Sequence, residues 1–248
     1  MSKLVFEKKF RIHSYETDTN GSMSLPTLFN YLQDTASTHA SKLHFGKEDL
    51  DRDNRIWVLS RILTMVDKYP LWDDEIIIRT WPKGIDKIFA LRDFEILDSS
   101  GKRIGGATSN WIMLNKDSKR PVRPDNLLTL LKGDIPKYSP VEHGPGKIPS
   151  LVNISYESPV FQVKYSDLDV NMHVNNVKYL QWTLDAYPLD FRINNQIDYL
   201  EVNYLSESLP GDSIKILLNE TGQRIFEHVV KRIDDDKDLC RIRAKWKA

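Results

Sequence analysis

Near the start of the chain, the spacing of apolar residues changes from a period of two to a helical period. Phe6–Tyr15 alternates apolar and polar residues, which predicts a β-strand. After a polar turn over residues 16–21 comes a stripe of apolar residues at helical spacing: Leu25, Leu28, Phe29, Leu32, Ala36, Ala40 and Leu43. Ser24 is suited to cap this helix with Pro26 in its first turn, and Gly46 is expected to end it.

Short apolar segments separated by turn residues follow the helix. The expected strands are Trp57–Val66, Glu75–Trp81, Ile88–Leu97 and Gly105–Leu114. Turn residues separate them, most clearly at 69–74 and 98–101. One long helix followed by several short strands is typical of an α+β domain with an antiparallel sheet.

A second amphipathic helix is predicted immediately after a strongly polar stretch. Residues 167–176 contain two Asp, three Asn and one His. The largely apolar face of the following helix comprises Val177, Leu180, Gln181 and Leu184. Asn175 and Asn176 are suited to accept hydrogen bonds from the N–H groups of its first turn. His173 then precedes a helix N-terminus, where free N–H groups and the helix dipole favour developing negative charge.

Three polar side chains alternate within this stretch: Asp169, Asn171 and His173. In an extended segment they point the same way, which places a carboxylate, an amide and an imidazole together. Asn and Asp are also common in turns and caps, so each residue alone has a structural explanation. The combination favours a catalytic site.

The second half of the chain repeats the first. The spacing Phe-x-Ile…Asp-x-Asn-x-Ser at residues 10–22 aligns without gaps on Phe-x-Val…Asp-x-Asn-x-His at residues 161–173, a constant offset of 151. Residues 72–76 likewise match residues 210–214. Such self-similarity indicates duplication and predicts two domains of one fold. Since Ser22 stands where the second half has His173, only the second half is expected to catalyse.

Residues 115–150 differ from both halves. Six of the twelve prolines lie here, and apart from a short helix predicted at Leu127–Leu131 the segment is expected to be an irregular, solvated connector. The sequence thus predicts an N-terminal domain at 1–130, a Pro-rich linker at 131–150 and a C-terminal domain at 151–248.

Composition excludes several classes of protein. Lys plus Arg equals Asp plus Glu at 35 each, which argues against a nucleic-acid partner. Cys240 is the single cysteine, so a disulfide framework is excluded and a reducing, cytoplasmic setting is expected. No apolar run approaches the ~20 residues that span a membrane. No metal-ligand spacing, P-loop or dinucleotide motif occurs, so no cofactor is expected.

The run Asp-Leu-Asp-Val-Asn-Met-His-Val-Asn-Asn-Val-Lys-Tyr at Asp167–Tyr179 resembles the active-site motif of the fatty acyl-ACP thioesterases of plants and bacteria. The resemblance implies an α+β fold of two tandem hot-dog domains, each an antiparallel sheet wrapped around a long central helix. It also implies hydrolysis of fatty acyl-ACP to free fatty acid and ACP in fatty acid biosynthesis. The N-terminal residues lack an apolar signal run or transit peptide, which favours a bacterial member of the family.

The resemblance also implies a set of catalytic residues. Its Glu falls on Glu207, and Ser208 stands where plant members often have Cys. A thiol nucleophile is therefore disfavoured, direct attack by water is preferred over attack by Ser208, and Cys240 is interpreted as structural. The expected catalytic residues are Asp169, Asn171, His173 and Glu207. His173 and Glu207 compete for the role of general base, and the N–H groups of residues 174–176 are candidate oxyanion donors.

The family pattern places the acyl pocket in the first domain, lined by Met23, Leu28, Leu32 and Trp111. Acyl carrier protein is the expected partner, attracted by basic residues of the linker and by Lys178. A monomer and a homodimer both fit two tandem hot-dogs. The alternatives are an acyl-CoA thioesterase, a non-catalytic hot-dog acyl-binding module and, more weakly, a hot-dog dehydratase.

Overall fold

The computed structural model of this protein describes residues 4–124, 127 and 135–247. The chain divides into two compact units, Met1–Pro145 and Gly146–Ala248, which we call unit 1 and unit 2. Each unit combines an antiparallel sheet with helices, so the predicted α+β class is confirmed.

Unit 1 is built on five long strands. Its elements are β1 (Phe6–Arg11), α1 (Leu25–Lys42), α2 (Lys47–Arg52), β2 (Arg55–Val66), β3 (Glu75–Asp86), β4 (Phe89–Asp98), β5 (Arg103–Asn115) and β6 (Pro121–Val122). The strand order is β1-β3-β4-β5-β2, all neighbours are antiparallel, and β6 adds to β5. The predicted strand at Phe6–Tyr15 is shorter than expected, because Ser14–Glu16 form a turn of 3₁₀ helix.

Helix α1 begins as predicted but ends earlier. Ser24 Oγ accepts a hydrogen bond from Thr27 N at 3.3 Å, which caps the helix. The helix packs its apolar face against β1 and β3. The expectation that Gly46 ends it is wrong: the helix stops at Lys42, and Gly46 instead precedes α2. A glycine is needed there because a Cβ would lie 2.7 Å from the backbone Cα of Ser41.

Unit 2 repeats the strand order of unit 1. Its elements are β7 (Tyr156–Glu157), β8 (Phe161–Gln162), α3 (Asn176–Asp185), α4 (Leu189–Asn194), β9 (Gln196–Tyr204), β10 (Ser213–Gly222), β11 (Ile225–Arg232) and β12 (Lys237–Lys247). The order is β9-β12-β11-β10, with β7 and β8 both paired to β10. Strand β8 thus takes the place that β1 has in unit 1. The sequence repeat therefore corresponds to a repeated topology.

Helix α3 buries a slightly different face from the one predicted. Val177, Leu180 and Leu184 are buried as expected, but Gln181 is exposed. Tyr179 and Thr183 are buried instead. Thr183 fits this environment because its hydroxyl donates to the carbonyl of Tyr179, one turn earlier, at 2.8 Å.

Two parts of the predicted linker are bound to the units rather than solvated. Ser139 Oγ donates to Asp93 Oδ2 of unit 1 at 3.0 Å, and Ile148 N donates to Asn203 Oδ1 of unit 2 at 2.9 Å. Asp93 and Asn203 are almost fully buried, so these bonds satisfy polar groups inside each unit. The short helix predicted at Leu127–Leu131 lies, apart from its first residue, outside the described residues. Among the described helices, none combines the length and apolarity that a membrane crossing requires.

Stability should fall in mild acid because of one buried histidine. His228 on β11 is 1% exposed and stacks edge-on against Tyr187. Burial lowers its pKa from 6.5 to about 4. In the unfolded chain, His228 therefore binds a proton below about pH 6.5, whereas in the folded chain it does so only below about pH 4. We expect the free energy of unfolding to fall by up to about 3 kcal/mol over this range.

Urea unfolding at pH 7 and pH 4.5 measures this effect. The variant His228→Phe should lose less stability between the two pH values than wild type does. His143→Phe, at an exposed position, should keep the wild-type dependence. An equal loss in wild type and His228→Phe would show that folding does not lower the pKa of His228.

Candidate active site

The polar stretch before α3 forms a closed turn, not the extended segment expected from its alternation. Leu168 and Val174 pair as an isolated antiparallel bridge. Inside the bridge, Asp169 N donates to His173 O at 2.8 Å, and Met172 has a positive φ of 62°. The expectation of an extended segment is therefore wrong, although the Asp169 and Asn171 side chains do lie within 3.4 Å of each other. The bridge brings the two ends of the stretch together, which is a constraint that alternation alone does not reveal.

The Asp169 carboxylate stabilises this turn. Its Oδ1 accepts hydrogen bonds from Asn171 N at 2.8 Å and His173 N at 3.3 Å. Its Oδ2 lies 3.4 Å from the side-chain amide nitrogen of Asn171. Asp169 thus holds the Asn171 amide and the His173 backbone, and within the described residues none of its hydrogen bonds reaches the His173 ring. In the described chain, no hydrogen bond joins the Asn171 side chain to His173 or Glu207.

Unit 1 contains the same turn without the imidazole. Asp18 Oδ1 accepts from Asn20 N at 2.9 Å and from Ser22 N at 3.0 Å. Gly21, with a φ of 73°, occupies the position that Met172 has in unit 2. The carboxylate–amide contacts therefore build the turn in both units, and the histidine is what distinguishes unit 2.

The structure brings His173 and Glu207 together. His173 Nε2 lies 3.6 Å from Glu207 Oε2, and their side chains are 30% and 49% exposed. Glu207 lies between β9 and β10, far from His173 in sequence. The hydrogen bond from Val174 N to Ser208 O, at 3.1 Å, joins the residues that follow each of them. The imidazole and the carboxylate thus lie side by side at a solvent-accessible position, where one water molecule can contact both.

Fewer backbone donors are available at the start of α3 than the sequence predicted. Val174 N donates to Ser208 O, and Asn175 N donates to Asp167 O at 2.9 Å. Asn175 Oδ1 caps the helix by accepting from Val177 N at 3.0 Å. Of the three N–H groups expected as oxyanion donors, that of Asn176 alone has no partner within the described part of the chain. It is the first N–H of the helix, where the helix dipole favours negative charge.

Neither alternative nucleophile is available. Ser208 is fully buried, and its Oγ donates to Asp212 Oδ2 at 2.9 Å. Cys240 is also fully buried, and burial raises its pKa well above the ordinary value for a thiol. The interpretation of Cys240 as structural agrees with this position.

Lys178 Nζ, expected to attract a carrier protein, lies 3.6 Å from Asp167 Oδ1. The described ranges contain no His, Cys, Asp and Glu cluster arranged to hold a metal.

Sequence comparison identifies the family of this chain. The profile of the acyl-ACP thioesterase N-terminal domain matches residues 3–129, and that of the acyl-ACP thioesterase C-terminal domain matches residues 153–248. The chain belongs to the acyl-ACP thioesterase family. The predicted family resemblance is therefore confirmed.

Solved structures of acyl-ACP thioesterases share its fold. An acyl-ACP thioesterase from Bacteroides thetaiotaomicron is 29% identical, with a TM-score of 0.83 and 100% of each chain covered. The 12:0-ACP thioesterase from Umbellularia californica, at 24% identity, covers 98% of this chain and 97% of its own, with a TM-score of 0.87, and supports the fold alone. The predicted architecture of two tandem hot-dog domains is confirmed.

Curated relatives come from plants and are longer. The chloroplastic palmitoyl-acyl carrier protein thioesterase of Gossypium hirsutum is 31% identical over 98% of this chain and 64% of its own length. The chloroplastic oleoyl-acyl carrier protein thioesterase 1 of Arabidopsis thaliana is 30% identical over 89% of this chain and 65% of its own length. This acyl-ACP thioesterase family member therefore spans slightly under two thirds of the length of these relatives.

Substitutions at the two equivalent positive-φ positions should have unequal effects on stability. Gly21→Ala places a residue with a Cβ in a left-handed backbone conformation. Because nothing lies within 4 Å of that Cβ, the change in unfolding free energy reports backbone strain without a steric clash. We expect a loss of about 1–2 kcal/mol in unfolding free energy. Met172→Gly removes such strain, so its stability should change by less than about 1 kcal/mol. Chemical denaturation measures both, and an unchanged Gly21→Ala variant would contradict the account.

Proposed function

We propose that this protein hydrolyses the thioester of fatty acyl-ACP, releasing free fatty acid and ACP in fatty acid biosynthesis. The observation that carries the proposal is the pairing of His173 Nε2 with Glu207 Oε2 at 3.6 Å, at the family motif of unit 2. Family membership supports the substrate class, since the curated relatives are named for thioester hydrolysis of palmitoyl- and oleoyl-acyl carrier protein. A water molecule bound beside this pair can make hydrogen bonds of about 2.8 Å to both the carboxylate and the imidazole.

The proposed reaction is direct attack by this water. The water oxygen bonds to the thioester carbonyl carbon while its proton passes to the base, which is either Glu207 or His173. The resulting tetrahedral intermediate collapses, the carbon–sulfur bond breaks, and the carrier thiolate takes a proton from the protonated base. The buried positions of Ser208 and Cys240 support water over a protein nucleophile.

The remaining polar groups are proposed to bind and orient. The Asn176 N–H at the start of α3 is the oxyanion donor, a role worth roughly 3–4 kcal/mol for a well-placed group. The Asn171 amide, exposed on the same turn, donates to the carbonyl oxygen or to the attacking water. Asp169 keeps the turn in place through its bonds to the Asn171 and His173 amides. Asp169, Asn171, His173 and Glu207 thus remain the proposed site.

The division of labour between domains stays a proposal. The domains are an N-terminal hot-dog at 1–130 that holds the acyl chain, a linker at 131–150 and a catalytic hot-dog at 151–248. Of the proposed pocket residues, Trp111 is partly exposed, whereas the others are almost fully buried: Met23, Leu28 and Leu32. The apolar character of these four side chains is what supports placing the acyl chain here.

Partners and location are also proposed. The protein partner is acyl carrier protein. Its acidic surface is attracted by basic residues of this chain. A monomer or a homodimer, and a cytoplasmic location, remain predictions. The single buried cysteine is compatible with a reducing compartment.

Release of free fatty acid from a panel of acyl-ACPs and matched acyl-CoAs tests the function. His173→Ala and Glu207→Ala should each lower kcat by roughly 10²-fold or more, because each removes a group that handles the proton of the attacking water. The matched controls are His143→Ala and Glu142→Ala, an exposed His and Glu elsewhere in the chain. Both controls should retain wild-type kcat.

Three results would contradict parts of the proposal. Acyl binding without any release by wild type would make the protein a binding module. A higher kcat/KM for acyl-CoA than for acyl-ACP would assign the other thioester class. Full activity in both His173→Ala and Glu207→Ala would remove the proposed site while leaving the activity itself in place.

A further inference from the structure

The position of Glu207 depends on its backbone, because its side chain is half-exposed. Within the described residues, its carboxylate has one ion-pair partner, His173, at 3.6 Å. The segment around it is anchored before and after that position. On the near side, Leu205 N and Ser206 N both donate to Leu239 O, at 2.9 and 3.1 Å. On the far side, the anchor is a carboxylate that sequence analysis did not identify, Asp212.

One oxygen of Asp212 accepts three hydrogen bonds. Asp212 Oδ2 is 2.9 Å from Ser208 Oγ, 3.0 Å from Leu209 N and 3.1 Å from Arg232 Nη1. Burial raises the pKa of this carboxyl, but the bonds from Leu209, Ser208 and Arg232 outweigh it, and the pKa lies below the ordinary value. Asp212 therefore stays ionised and holds both the side chain of Ser208 and the following peptide.

Arg232, which binds Asp212, is itself held in a fixed position. It lies at the end of β11, and its guanidinium is held in two places by Asp235, with Nε–Oδ1 at 2.8 Å and Nη2–Oδ2 at 2.7 Å. The bidentate contact leaves Nη1 directed at Asp212. The charge-assisted bonds thus connect the sheet to the turn that follows Glu207.

Ser208 links Asp212 to the turn that carries His173. Its hydroxyl is bound to Asp212, and its carbonyl accepts the hydrogen bond from Val174 N at 3.1 Å. Val174 follows His173, and Ser208 follows Glu207. A continuous series of bonds therefore runs from β11 through Asp212 and Ser208 to the backbone on which both proposed catalytic side chains are mounted.

Unit 1 shows which of these bonds the turn itself requires. There Asp74 Oδ2 accepts from Leu71 N at 2.8 Å, and Pro70 O accepts from Met23 N at 2.8 Å. Pro70 stands at the position of Ser208 and has no hydroxyl. Asp98 stands at the position of Arg232, since each pairs with the equivalent isoleucine of the neighbouring strand. The turn therefore forms without the hydroxyl and guanidinium bonds, which occur in the unit that carries His173.

We propose that Asp212 is a positioning residue for the candidate active site, setting the distance between Glu207 and His173 through Ser208. This inference rests on the proposed function. Asp212 itself does not touch the substrate. Its loss should lower kcat with little change in KM, because a displacement of about 1 Å in a reacting group costs up to roughly 10²-fold in rate.

A double-mutant cycle separates positioning from general stability. Asp212→Asn should lower kcat for acyl-ACP by roughly tenfold or more in wild type, and by less than about twofold in a Glu207→Ala background. Ser208→Ala, which removes only the hydroxyl, should show the same dependence and guards against a misfolded Asp212→Asn variant. Asp74→Asn, the matched change in unit 1, should leave kcat within about twofold of wild type. Equal fractional losses in both backgrounds would overturn the inference.

A measurement that needs no activity distinguishes failure of this inference from failure of the proposed function. Hydrogen exchange of the Val174 amide reports its bond to Ser208 O directly. In folded Asp212→Asn this amide should exchange roughly tenfold faster than in wild type, because its acceptor is no longer held. Unchanged exchange overturns the positioning role even if wild type proves inactive. If wild type releases no fatty acid but exchange accelerates, the function fails and the anchoring role of Asp212 stands.

Discussion

The hydrogen bond from Val174 N to Ser208 O is the contact on which the candidate site depends. It joins a turn that precedes α3 to a turn that precedes β10, and these carry His173 and Glu207. It directly joins the residues that follow the two side chains, whose imidazole and half-exposed carboxylate lie 3.6 Å from each other. The bond also occupies an N–H that the sequence offered as a candidate oxyanion donor.

Duplication explains why this contact is available. Unit 1 makes the equivalent bond from Met23 N to Pro70 O, and its turn is stabilised by Asp18 as that of unit 2 is by Asp169. The two units therefore share a backbone arrangement that needs no catalytic side chain. Unit 2 differs from unit 1 by having His173 where unit 1 has Ser22.

Three carboxylates at the candidate site have different environments. Asp169 accepts from the backbone amides of Asn171 and His173, and Asp212 accepts from Leu209 N, Ser208 Oγ and Arg232 Nη1, so both stabilise turns. Glu207 faces solvent and His173 instead. The bonds to Asp212 hold the pKa of that carboxyl below its ordinary value, which keeps it ionised. The acids of this site thus differ by environment, not by residue type.

The sequence by itself determined the features that depend on neighbouring residues. Apolar periodicity predicted α1, α3 and the five longer strands of unit 1, but not the short helices α2 and α4. Ser24 and Asn175 were recognisable as caps, and the motif around His173 identified the family. Tertiary structure decided whatever depends on a distant partner. The Val174 amide is taken by Ser208, His173 lies beside Glu207, and Asp212 binds Arg232 of β11. Such bonds leave no local pattern, because folding alone brings their two ends within hydrogen-bonding distance.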